Sequence, residues 1–136
     1  MAGYEGRVVA VNLLHGNQVR ADYAAVPSVV FTIPPLAGVG LDERSAESEG
    51  LHFRIATGEM SARSSSRRIG EECSAYKVLV EEESERILGA PLLGSGAEEH
   101  TNPFALAIRK GLSASGLKET IDSYPTHSSN TKYMIP

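Results

Sequence analysis

Two β-rich runs, "AYKVLVEE" from residue 75 and "RILGAPLLG" from residue 86, face each other across the acidic stretch Glu82, Glu83, Ser84 and Glu85. Strands this close in sequence satisfy their backbone groups most directly by pairing with each other. The pattern therefore predicts a β-hairpin with a turn longer than the two-residue type. The rest of the chain must then fit around an antiparallel sheet. Val29 to Thr32 reads as a strand closed by Pro34 and Pro35. Leu36 to Leu41 reads as a second short strand, made flexible by Gly38 and Gly40. In "HFRIATGEM", His52 and Arg54 alternate with Phe53 and Ile55, the pattern of a half-buried strand.

Helical signals surround these strands. Residues 4 to 15, "YEGRVVAVNLLH", are compatible with a helix capped by Gly16 and Asn17. Asp42 is placed as an N-cap for two helical turns that end at Gly50. "SARSSSRRIGEE" breaks the periodicity and reads as a loop. Asn102 in N-cap position and Pro103 in the first turn predict a helix start, with Phe104, Ile108 and Leu112 on one face. Leu117, Ile121 and Tyr124 follow at i, i+4 and i+7, predicting a last helix. The order predicts an α+β domain built on an antiparallel sheet. At 136 residues, one domain is expected.

Composition narrows the function. The net charge is −4 with a pI near 5.6, and aromatic residues make up 6% with no Trp. No nucleic-acid partner is expected from that balance, and the cluster Arg63, Arg67 and Arg68 is too short to reverse it. No apolar run approaches the roughly 20 residues that span a bilayer, so no membrane partner is expected. The N-terminus lacks a signal-peptide pattern. Cys73 is the only cysteine, which excludes an internal disulfide and leaves a reducing cytoplasm as the expected compartment.

Chemistry-bearing residues are few. His15, His52, His100 and His127 do not fall at zinc-site spacing, and no metal is expected. "GSGAEE" (94–99) lacks the lysine of a phosphate loop, and Glu98 and Glu99 would repel phosphate. It reads as a glycine turn from strand to helix. Ser128 and Ser129 adjoin His127, but no G-x-S-x-G elbow accompanies them. His127 is the best acid/base candidate, imidazole being the side chain suited to proton transfer at neutral pH. "YPTHSSN" (124–130) places it beside an aromatic and a proline near the end of the chain.

Three stretches in order, "DYAAVPSVVFTIPPLAGVGL" (22–41), "AYKVLVEEESERILGAPLLGSGAEEHTNPFALAI" (75–108) and "GLSASGLKETIDSYPTHSS" (111–129), carry a resemblance. Together they resemble the C-terminal dimerisation domain of the FAD-dependent pyridine nucleotide–disulfide oxidoreductases, the group of glutathione reductase, dihydrolipoamide dehydrogenase and mercuric reductase. The resemblance assigns residues 21–136 to that domain and residues 1–20 to the tail end of a preceding flavin-domain helix. It implies a homodimer paired through the terminal helices. It also implies FAD and NAD(P)H in a full-length parent, held by domains whose motifs this sequence lacks. The chain by itself is then expected to be inactive in electron transfer.

In most of the family the terminal segment reads His-Pro-Thr, with an acidic residue further on, and reaches the partner's flavin and redox cysteines. By that resemblance Tyr124 takes the place of the histidine, Pro125 and Thr126 match as possible flavin contacts, and Ser129 stands at the carboxylate position. Tyr124 and His127 are the catalytic candidates implied, within a complete parent. The resemblance also implies a cis Tyr124–Pro125 bond. A standalone interaction module without catalysis is the competing reading.

Overall fold

The computed structural model describes residues 1–136. Strand β4 (Ala75–Glu81) organises a six-stranded antiparallel sheet that also contains β1 (Ser28–Val30), β2 (Leu36–Gly38), β3 (Phe53–Glu59), β5 (Ile87–Gly89) and β6 (Leu92–Leu93). Their order is β1-β2-β6-β4-β3, with β5 also paired to β4. The expected hairpin is present: Val80 faces Ile87 and Leu79 faces Gly89, with a register shift between the two pairs. On its other edge β4 pairs with β3 from Phe53↔Glu81 to Glu59↔Ala75.

Val78, Leu79 and Val80 are all fully buried, so the middle of β4 is covered on both faces. Val78 and Val80 point to the main core with Ile87, Leu92, Ala37 and Val39. Helix α4 (Ala97–Lys110) covers that face with Phe104 and Ala107. Lys77 and Leu79 point the other way, and Lys77 is ion-paired with Glu43 of α2 (Glu43–Ser48). Helix α2 therefore shields the opposite face, burying its Ala46. Asp42 caps it as expected, its carboxylate accepting from the Ser45 amide at 2.7 Å.

Several boundaries differ from the sequence reading. The first strand ends at Val30 rather than Thr32. The segment read as a loop contains a short helix α3 (Ser64–Arg67), whose Ser65 and Ser66 are buried. Helix α4 begins at Ala97, after the left-handed turn at Gly96, and Pro103 lies inside it. Ala97, His100, Thr101, Phe104 and Ala107 are all buried at helical spacing, and that continuous face outweighs the start signal at Asn102–Pro103. Helix α5 spans only Ala114–Lys118, so Ile121 and Tyr124 do not extend its Leu117 face. Pro125 keeps Tyr124 out of helical geometry.

The chain end also departs from expectation. Residues Ser128–Asn130 form one 3₁₀ turn that runs into α6 (Thr131–Met134). Thr131, Met134 and Ile135 are buried, the last two within the main core. The tail therefore folds back onto its own chain and leaves Lys132 and Tyr133 on its exposed side. Helix α1 (Ala2–His15) has no fully buried residue, with Val8 and Val11 half-buried, and polar contacts tie it to the segment that follows. Asn12 donates to the Val19 carbonyl, and the Tyr4 hydroxyl accepts from the Asp22 amide. No helix is long and apolar enough to cross a membrane.

Candidate functional site

Between the end of α5 and the 3₁₀ turn, residues 119–127 form a corner with two opposite sides. Ile121 is 98% exposed and Tyr124 78% exposed, so this stretch contributes little to its own core. The Tyr124–Pro125 bond is cis, and so is Ile33–Pro34. Immediately afterwards the chain is tied down. Ser129 Oγ donates to the Thr126 carbonyl at 2.7 Å, and the Ser129 amide donates to Thr126 Oγ1 at 3.2 Å. Thr126 Oγ1 donates in turn to the Ser123 carbonyl at 2.6 Å. Ser129, at the position where the resemblance puts a carboxylate, is thus buried and engaged with Thr126 rather than with an imidazole.

On the outer side, Tyr124 Oη lies 3.3 Å from Ser64 Oγ. The two hydroxyls border a cavity of about 80 Å³ that also meets Arg63, Ser65, Thr126 and Tyr133. The Arg63 guanidinium stacks 3.9 Å above the Tyr133 ring. Tyr133 is itself held by the Tyr76 hydroxyl, which donates to its carbonyl at 3.1 Å.

On the inner side, His127 meets His100 in a second cavity of about 20 Å³, which Met60, Ser66, Leu92 and Met134 help to line. His100 Nε2 lies 2.9 Å from Thr131 Oγ1, so a side chain of α4 holds the start of α6. Burial, and secondarily the nearby His127, push the His100 pKa from 6.5 down to about 4. The His127 ring lies over Gly96, where a Cβ would come within 2.9 Å of its Cδ2 atom. Gly96 also has φ +76°, so the turn and the imidazole both require glycine there.

The sequence-derived candidates therefore separate. Tyr124 and exposed Pro125 face outward, Thr126 is half-buried in its hydrogen-bonded knot, and His127 faces inward. Tyr124 lines the outer cavity and His127 the inner one. Arg63, Ser64 and His100 were not singled out from sequence as site residues. Arg63 enters the sequence reading only within a basic cluster too short for nucleic acid, and His100 only through its lack of zinc-site spacing. The spacing of Ala97, His100, Thr101 and Phe104 could have revealed that His100 is buried.

The glycine turn at residues 94–96 does not fit the pyrophosphate of a dinucleotide. Glu98 and Glu99 occupy the first turn of α4, and the His127 ring covers Gly96. This chain's residues therefore do not build a phosphate cradle for FAD or NAD(P)H at that helix.

Comparison with known proteins agrees with the fold. The family model described as "Pyridine nucleotide-disulphide oxidoreductase, dimerisation domain" matches residues 26–135. An uncharacterized 19.7 kDa protein in a mercuric resistance operon of Staphylococcus aureus is 38% identical over 135 residues, covering 99% of this chain and 75% of that protein. Mitochondrial dihydrolipoyl dehydrogenase of Mus musculus is 34% identical over 119 residues, covering 88% of this chain and 23% of the enzyme. Among solved structures, the HOCl-induced flavoprotein disulfide reductase RclA from Escherichia coli superposes with a TM-score of 0.86 at 29% identity. That match covers 95% of this chain and 30% of RclA. The chain thus spans three quarters of the staphylococcal relative but under a third of either reductase.

Proposed function

The chain belongs to the pyridine nucleotide–disulfide oxidoreductase family through its dimerisation domain, and from that premise we propose that it pairs with a second copy and offers Tyr124 to a flavin–disulfide centre. The observation that carries this reading is the corner itself. Ile121 and Tyr124 stand out of the fold, while the residues just after them are locked into the core. A segment that packs only lightly on its own domain, held on a rigid base, is suited to contact another surface. The Tyr124 hydroxyl would serve as a hydrogen-bond donor to a thiolate or its adduct. His127, turned inward over Gly96, would act by fixing the corner rather than by reaching a thiol. Pro125 and Thr126 would shape the side that meets the partner's flavin.

Residues 1–20 are proposed to belong with a flavin domain and residues 21–136 to form the dimerisation domain. Exposed Val9, Leu13 and Leu14 on α1, a helix with no fully buried residue, support that division. FAD and NAD(P)H would be held by such additional domains.

Sedimentation velocity over a concentration series tests the pairing. A dimer is expected, with an interface on the order of 2,000 Å² or more. Burying Ile121 is worth about 1.5–3 kcal/mol, so Ile121→Glu should weaken the dimer by about tenfold or more without changing the monomer's melting point. A monomer at every concentration would refute the pairing. It would favour a standalone interaction module, the reading supported by the short staphylococcal relative, of which this chain matches three quarters.

A further inference from the structure

We propose that the cavity beside Arg63 is an oxyanion subsite that takes the carboxylate of a low-molecular-weight disulfide or thiol next to Tyr124. Its walls supply donors without competing charge. None of the four ion pairs in the protein uses Arg63, and no Asp or Glu borders the cavity. The guanidinium is positioned by stacking on Tyr133, which leaves its N–H groups for a ligand. Ser64 and Tyr124 share one hydrogen bond between two hydroxyls, so one of their two protons remains to be donated. Buried Ser65 accepts from Asn130 Nδ2 at 2.8 Å, and its own O–H is likewise left to donate.

Planar guanidinium and hydroxyl donors around one space match a carboxylate better than a neutral group. At about 80 Å³ the cavity is far smaller than the roughly 300 Å³ or more of a cofactor pocket. It would hold only the charged end of a ligand and leave the sulfur end over the exposed face of Tyr124. Naming a disulfide or thiol rests on the proposed function. Anion binding itself needs neither flavin nor dimer, so failure of one reading is distinguishable from failure of the other.

The test is an NMR titration of the full chain, following the Arg63 side-chain N–H signals and the Tyr124 ring signals. The probes are dithiodiglycolate, neutral bis(2-hydroxyethyl) disulfide and inorganic phosphate. Saturable shifts with dithiodiglycolate are expected, with the neutral disulfide weaker by about tenfold or more. Arg63→Gln should abolish that preference, and Arg63→Lys should retain part of it. Equal affinity for the charged and neutral disulfides would overturn the proposal. So would a preference that survives Arg63→Gln, or the absence of saturable shifts at Arg63. Phosphate binding tighter than dithiodiglycolate would overturn the carboxylate assignment in favour of a free phosphate. Should Arg63→Gln fail to fold, the wild-type comparison and its weakening by added salt still decide the outcome.

Discussion

Replacing His100 with Gln should change how stability depends on pH, in a window fixed by the side chain's surroundings. His100 is buried between α4 and the chain end, and its pKa falls from 6.5 to about 4, first through burial and then through His127. The unfolded chain therefore binds a proton between those values that the folded chain refuses. The stabilisation is complete above about pH 6.5, is lost as pH falls toward 4, and changes no further below that. At about 1.4 kcal/mol per tenfold, the difference is worth about 3 kcal/mol. His100→Gln keeps a group able to hydrogen-bond Thr131 but does not titrate. Urea unfolding followed by circular dichroism, at about pH 7.5 and about pH 4.5, should show the wild type losing most of that 3 kcal/mol relative to the variant. Asp42 and Glu81, whose carboxyls are held below their ordinary range by hydrogen bonds from Ser45 and Ser84, lose their contributions at lower pH still. They do so equally in both proteins and cancel in the difference. Parallel pH curves for wild type and variant would refute the reasoning.

Phe104 is the largest fully buried side chain, and Phe104→Ala should cost about 3–5 kcal/mol, read from the urea midpoint. Gly89→Ala would place a Cβ 1.9 Å from the Leu41 carbonyl oxygen, in a backbone bridge where nothing flexible can yield. A loss at or above the ~1–3 kcal/mol of ordinary overpacking is expected, with reduced soluble expression as the first sign. Asp42→Ala removes the α2 cap and should cost about 1 kcal/mol in the same assay.

The sheet was legible in the sequence because its signals were local and mutually consistent. The hairpin around Glu82–Glu85, the alternating run before Met60 and the Asp42 cap each needed only neighbouring residues. Errors arose where distant packing outweighed local preference. Asn102–Pro103 is a sound start signal in isolation, yet burial of Ala97, His100 and Thr101 extends α4 upstream of it. "SARSSSRR" reads as a polar loop, but Ser65 and Ser66 are buried, and Asn130 bonds to Ser65 from 65 positions along the chain. The site was legible only as a set of residues. Which way Tyr124 and His127 face depends on the Thr126–Ser129 knot, whose hydrogen bonds no local sequence signal announces.

That knot changes where self-pairing can occur. Before it the chain is exposed at Ile121 and Tyr124; after it Thr131, Met134 and Ile135 are inside the fold. A partner contact through the buried side of α6 would have to pull Met134 and Ile135 out of the core, forfeiting on the order of 3 kcal/mol or more of apolar burial for each copy, and its exposed side carries only Lys132 and Tyr133. A contact through residues 119–125 disturbs nothing already packed. It also meets a segment whose base is fixed by Thr126, Ser129 and the His100–Thr131 bond, so little conformational freedom remains to be lost on association. The folded-back tail is therefore compatible with a dimerisation domain in which the tail is the anchor and the exposed corner ahead of it is free for contact.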